Sequence, residues 1–180
     1  MLARQINIQR YLRVMVVKNF PMKSNGFTSY EKQLADLITR GYQLARSQNK
    51  AVLVSASFPL ADAIDPIEVF AMAKGLETER VFWAKPDRSI WVVGIGCTKE
   101  LMSNSDYTVT DINDEYKRLL ESALIEYAED FLKGPVFVGG IRFDPKVQKS
   151  HAWSGFHDAR FVLPKLVFTF SSGETWVTVN

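Results

Sequence analysis

Apolar residues between positions 29 and 48 recur every three or four places, at Leu34, Leu37, Ile38, Tyr42 and Ala45. That spacing lines one face and predicts a helix over 29–48. Thr28, with Glu31 three residues on, has the spacing of a capping box at its start. The run Ala-Val-Leu-Val-Ser-Ala-Ser-Phe at 51–58 predicts a strand. A short helix is expected at 66–74, with Asp65 as cap, Pro66 in the first position and Gly75 after the end. Val81-Phe82-Trp83 and Ile90-Trp91-Val92-Val93 are strong strand formers on either side of Pro86-Asp87-Arg88-Ser89. They predict a hairpin over 80–85 and 90–95. The widest apolar face belongs to 111–132, through Ile112, Tyr116, Leu119, Leu120, Ala123, Leu124, Tyr127, Phe131 and Leu132. Thr110 or Asp111 would cap this helix and Gly134-Pro135 would stop it. A strand at 136–143, a loop, and strands at 160–170 and 174–179 about a Ser171-Ser172-Gly173 turn complete the pattern. Hairpin strands with a few helices, and no regular βαβ alternation, predict an α+β fold of antiparallel sheets with flanking amphipathic helices.

The chain has 180 residues, of which 47% are apolar and 23% charged. That is the composition of a globular domain, long enough to bury a core. No Pro/Gly/Ser-rich linker divides it. Residues 1–25 are expected to form a basic arm or edge strand, and 26–180 the domain itself. Within 1–23 stand Arg4, Arg10, Arg13, Lys18 and Lys23 without an acid. Its one apolar run, Val14-Met15-Val16-Val17, is shorter than the roughly seven residues a secretory signal needs. No apolar run is long enough to span a membrane. With 22 basic and 20 acidic residues, net charge +2, neither nucleic acid nor a membrane surface is expected as partner. Cys97 is the single cysteine, which excludes an internal disulfide and fits a cytoplasmic protein. The chain stops within strand-like sequence, Thr175 to Asn180. Domains more often end in frayed polar residues, so a truncated polypeptide is expected.

Candidate chemistry is sparse. Val93-Gly94-Ile95-Gly96 follows a strand, but Lys99 stands where a dinucleotide fingerprint needs its third glycine. A strand ending in a glycine bend is the better reading. His151 and His157 are the only histidines. Their spacing of six and the absence of neighbouring ligands argue against a metal site. Cys97 lies near Lys99, which can lower a thiol pKa, yet a structural cysteine is the expectation. Glu115, Glu121, Glu126, Glu129 and Asp130 are expected on the solvated face of one helix.

The most informative stretch is Gly139-Gly140-Ile141-Arg142-Phe143-Asp144-Pro145. Two glycines in a strand signal a bulge or a close backbone approach. Arg142 and Asp144 share a strand face and could pair. Trp153 and Phe156 follow in a loop, where large aromatics are expected to pack on a core edge.

At these residues the chain resembles the N-terminal part of the isochorismate synthase family. That family has a Gly-Gly-Phe-Arg-Phe-Asp-like strand, a tryptophan loop and a Phe-Val-Leu-Pro segment. Here the counterparts are Gly139, Gly140, Arg142, Phe143 and Asp144, then Trp153 and Phe156, then Phe161 to Pro164. Ser55 to Phe58, Asp65-Pro66, Phe82-Trp83 and Val93 to Gly96 are also similar, so the likeness covers roughly 50–180. Ile141 replaces the commoner phenylalanine. Leu119-Leu120-Glu121-Ser122 matches a short anthranilate synthase motif, but in a different helical context, and no tryptophan site is read from it.

The resemblance implies a chorismate-binding enzyme that makes isochorismate, adding water at one ring carbon and losing a hydroxyl at another. It implies magnesium on the substrate carboxylate, a lysine base and a glutamate acid. The family's base lysine sits in a Lys-Val-Val-Leu-Ala-Arg-like strand, and no such sequence occurs before Asn180. No catalytic, cofactor or metal residue is therefore carried onto this chain, Lys85, Lys99, Lys146 and Lys165 included. The expectation is an inactive scaffold segment whose partner is the C-terminal part of the same enzyme, with chorismate and magnesium bound only by the whole. Open edges should lower its solubility. The alternatives are a binding or regulatory module of the same fold, or the front of a salicylate or anthranilate synthase. Menaquinone, siderophore and salicylate routes all begin with isochorismate, so the pathway stays open.

Overall fold

The computed structural model describes residues 24–60, 64–75, 79–104, 108–126, 133–144, 147 and 149–180, with backbone alone for 24–28. Of the basic arm read over 1–25, residues 1–23 lie outside that set and 24–25 begin the first helix. The fold is mixed α+β. In chain order the helices are α1 (Ser24–Gln48), α2 (Pro66–Met72) and α3 (Thr108–Glu121). The strands are β1 (Val54–Leu60), β2 (Arg80–Ala84), β3 (Ile90–Ile95), β4 (Lys99–Ser103), β5 (Leu124–Glu126), β6 (Val138–Ile141), β7 (Ala159–Leu163), β8 (Leu166–Ser171) and β9 (Glu174–Val179).

Six strands form one sheet in the order β2-β3-β8-β9-β1-β5. All its pairings are antiparallel except β1 with β5, where Val54 faces Leu124 in a parallel register. Alternate residues on one face of this sheet make the core: Phe58 of β1, Val93 and Ile95 of β3, Phe168 of β8 and Val177 of β9. Leu34 and Leu37 of α1 and Val69 of α2 close over them. The strand period of two puts these side chains on one side and sends Ser57 and Thr178 to the other. There their hydroxyls bond each other at 2.8 Å and are buried.

The second sheet has three strands in the order β4-β7-β6, all antiparallel. The two sheets are joined where β7 passes into β8. Sequence pattern makes 160–170 one strand, but Pro164 breaks it, and Leu163 and Leu166 belong to different sheets. Proline has no N–H to donate to a ladder. Its ring is buried against Gly94, where a Cβ would lie 2.5 Å from the Pro164 Cγ. Asn180 staples the junction: its Nδ2 donates to the Pro164 carbonyl at 2.9 Å and its Oδ1 accepts from Ser55 Oγ at 2.7 Å.

Three more expectations are corrected. First, α1 starts at Ser24, so Thr28 lies inside it and is not the cap. Its buried stripe runs through Leu34, Leu37 and Gly41, while Tyr42 faces solvent. Second, the helix read over 111–132 runs from Thr108 to Glu121. After a closing turn, the Leu124 N–H bonds the Leu53 carbonyl at 2.8 Å and the chain becomes β5. An open sheet edge offering backbone partners has overridden the helical pattern. Residues 127–132 lie outside the described set. Third, Glu126 therefore belongs to a strand, where it pairs with Arg40 at 2.7 Å, rather than to an acidic helix face with Glu115. Glu129 and Asp130 lie outside the described residues. The short helix at Pro66 is as expected, with Asp65 Oδ1 accepting from the Ile67 N–H at 2.7 Å. So are the β2–β3 and β8–β9 hairpins.

Candidate functional site

β6 is the outer strand of the small sheet and owes its place to glycine. Gly139 stands opposite Phe161 of β7 and Gly140 opposite Arg160. A Cβ on Gly139 would run into the Arg160 carbonyl and lie 2.6 Å from the Phe161 Cα, both rigid backbone. A Cβ on Gly140 would meet nothing within 4 Å. Only the first glycine of the pair is required by close approach.

After Ile141 the chain leaves the sheet, passes through a 3-10 turn at His151–Trp153, and returns as β7. An open groove of about 1100 Å³ lies between this loop and β6. Seven of the residues singled out by pattern line it: Gly139, Gly140, Arg142, Phe143, Asp144, Trp153 and Phe156. Phe161 and Pro164 do not. Phe161 is a β7 residue held between Gly139 and Leu101, and Pro164 is the buried sheet junction.

The loop is organised by Asp158, which the sequence pattern did not mark. Its carboxylate Oδ1 accepts from Arg142 Nη1 at 3.1 Å and from Lys149 Nζ at 3.0 Å. Its carbonyl accepts from the Arg142 N–H at 2.6 Å, and its N–H donates to Asn104 Oδ1 at 3.0 Å. The Lys149 hydrogen bond, helped by that of Arg142, holds the Asp158 carboxyl below the ordinary carboxylate range. Arg142 thus pairs across the loop with Asp158 and not along the strand with Asp144. The reason is geometric: β6 ends at Ile141, so strand alternation no longer orders the residues beyond it.

The aromatics do not pack on a core edge. Trp153 and Phe156 contact each other, rings 5.3 Å apart and tilted 55°, and keep 62% and 61% of their surfaces exposed. Phe143 is fully exposed. Lys149 Nζ donates to the Phe156 carbonyl at 2.6 Å, which fixes the loop beneath the rings.

Arg160, the groove's third cation, donates to Glu79 and to Glu100. The bond to Glu79, seconded by that to Glu100, raises its already high pKa. His157 bonds Asn104 at 2.9 Å, and His151 is exposed on the 3-10 turn. The two histidines share no ligand set, and no group of three His, Cys, Asp or Glu that could hold a metal stands among the described residues. Burial, then the charges of Glu79 and Glu100, push the Cys97 thiol up, the behaviour of a structural cysteine. Gly96, at φ 72°, is the expected glycine bend after β3. The shifted groups of the groove are each held more firmly in their charged state. For Asp158 and Arg160 the arrangement therefore fixes side chains in place. No helix among the described residues is long and apolar enough to cross a membrane.

Three comparisons bear on this fold. The family model described as "Chorismate binding enzyme" matches residues 38–180. The isochorismate synthase MenF of Bacillus subtilis (strain 168) is 27% identical over 160 residues, covering 85% of this chain and 34% of that protein. The salicylate biosynthesis isochorismate synthase of Pseudomonas aeruginosa is 29% identical over 119 residues, covering 66% of this chain and 24% of that protein. The solved structure of MenF, the menaquinone-specific isochorismate synthase from Escherichia coli, aligns over 69% of this chain and 23% of its own, with a TM-score of 0.44 and 17% identity. The chain spans about a third of the length of the Bacillus relative and a quarter of the Pseudomonas one. With a match running from the middle of α1 to the last residue, the chain belongs to the chorismate-binding enzyme family.

Proposed function

We infer that this chain is the N-terminal portion of an isochorismate synthase, a sheet scaffold that takes part in converting chorismate to isochorismate only together with the rest of that enzyme. The observation that carries the reading is a match over 85% of this chain to a third of one isochorismate synthase. The reaction adds water at one ring carbon and expels a hydroxyl from another. It therefore calls for a base to deprotonate the water and an acid to protonate the leaving group. Arg142, Lys149 and Arg160 are held in ion pairs, and neither role is assigned to them. Magnesium would neutralise the substrate carboxylate in the whole enzyme. Its ligands are assigned to the remaining part of the enzyme. The cytoplasm is the expected location.

The test is an assay of isochorismate formation from chorismate with magnesium, run on the 180-residue chain and on the polypeptide encoded by reading on past the Asn180 codon. The chain alone should show no turnover above buffer, and the longer polypeptide should turn over. Activity in the 180-residue chain would overturn the scaffold reading. An inactive longer polypeptide would favour a binding module of the same fold.

A further inference from the structure

Around the groove, charged and apolar side chains are in opposite states. Arg142 and Lys149 are paired with Asp158, and Arg160 with Glu79 and Glu100. An anionic metabolite recognised here would have to displace these partners. The apolar side chains have nothing to match. Phe143, Trp153 and Phe156 stand exposed beside Ile141 and Val147. A contiguous patch of this kind on an otherwise folded surface marks a protein contact.

Beside the patch runs β6, whose outer edge pairs with no strand among the described residues. Residues 139–141 are exposed, and Gly140 presents open space where a side chain would stand. A bare strand edge is a template for one more strand. On the opposite side of the same sheet, α3 packs against β4. The large sheet ends at β2, where Phe82 packs edge-on to Phe70 and Trp91, and at β5, a strand of only three residues; neither edge has, among the described residues, an aromatic loop like that beside β6.

We propose that the β6 edge and the aromatic loop form the docking face for the remainder of the family's polypeptide, which adds a strand to β6 and covers Phe143, Trp153 and Phe156. This rests on reading the chain as part of a longer isochorismate synthase. The larger part of each relative lies outside the match, and that length has to pack on this third somewhere. The face is built in advance for it. Asp158 ties Arg142 and Lys149 together, which braces the positions that present the rings and lowers the entropic cost of docking. A second copy of this chain would cover the patch but leave the remaining length unplaced.

Hydrogen exchange read by mass spectrometry, on the 180-residue chain and on the polypeptide read on past Asn180, tests this. So does the triple variant Phe143→Ser/Trp153→Ser/Phe156→Ser in both. The amides of 139–141 should exchange at least tenfold more slowly in the longer polypeptide. The triple variant should abolish that gain there, yet leave the melting temperature of the 180-residue chain unchanged. Equal exchange in both lengths, or full protection in the triple variant, overturns the docking face. If such a longer polypeptide still makes isochorismate, the functional reading survives the loss. Dimerisation of the 180-residue chain that the triple variant abolishes, without added protection in the longer form, assigns the face to a second copy and overturns the proposal. A reading frame that stops at Asn180 overturns both.

Discussion

The two sheets of this molecule share the segment from Ala159 to Ser171 and are finished in opposite ways. In the six-stranded sheet, Phe168 has no exposed surface and lies under α1 and α2. A few residues upstream, the three-stranded sheet leads into a loop whose Phe143, Trp153 and Phe156 rings stand in solvent. Both regions are rich in aromatics, so hydrophobicity alone does not separate them. What differs is what fixes each side chain. The large sheet is held by apolar burial on one face, and the loop by backbone bonds and the ion pairs of Asp158. The first arrangement is made for stability, the second for presenting a surface.

That difference predicts a steep gradient of mutational cost. Phe168→Ala should be the most damaging change. Emptying a fully buried aromatic site costs about 3–5 kcal/mol, much of a domain's total stability. Urea unfolding of the 180-residue chain would measure it, and a cost under about 1 kcal/mol would mean the core is not where it is placed here.

Gly139→Ala comes next. A methyl group forced against the Phe161 backbone should cost about 1–3 kcal/mol, while Gly140→Ala, with open space around it, should cost far less. Equal melting temperatures for the two variants would break the close-approach argument for β6.

How much of this was legible beforehand depended on whether the cause was local. Asp65 and Pro66 announce α2 because a cap and a fixed φ act within one turn. The β2–β3 turn is legible for the same reason: Asp87 Oδ1 accepts from the Ser89 hydroxyl at 2.6 Å and from its N–H at 2.9 Å. What depended on a distant neighbour could not be read. Leu124 to Glu126 continue a helical pattern and become a strand because β1 offers an edge. Lys99 to Ser103, with Leu101 and Ser103 alone buried, alternate too weakly to announce β4. The Gly-Gly stretch and the tryptophan loop line one groove. Its organiser, Asp158, could not be read, because it stands in no pattern and its partners lie as far as 54 residues away.

Asp158 gives a test specific to the loop. Its carboxyl pKa is held below the ordinary 3.8 by Lys149 and Arg142. A depressed folded pKa contributes stability above the unfolded value, and that contribution is lost as pH falls through the folded one. The loop should therefore be fully held at neutral pH and loosen only in acid below about pH 4. Asp158→Asn should loosen it at every pH, seen as faster exchange of the Arg142 and Trp153 amides while the β8 amides stay protected. The Asp87 turn makes a useful control. The Ser89 hydroxyl, its N–H and Lys85 lower that carboxyl to about 2, so its contribution should fade between about pH 4 and pH 2. If Asp158→Asn melts both sheets together, the loop is part of the core's cooperative unit and the contrast between the regions fails.

The smallest expected effect is the most telling. Phe143 has its whole side chain in solvent, so Phe143→Ser should shift the stability of this chain by no more than about 0.5 kcal/mol. An exposed aromatic with no stake in its own fold has to be explained by something outside it. If thermal and urea unfolding both return the unaltered values, the ring at 143 is available to a partner. If the variant is instead destabilised by about 2 kcal/mol or more, Phe143 is buried in solution. The aromatic loop is then a lid closed on its own sheet, and the two regions are finished alike.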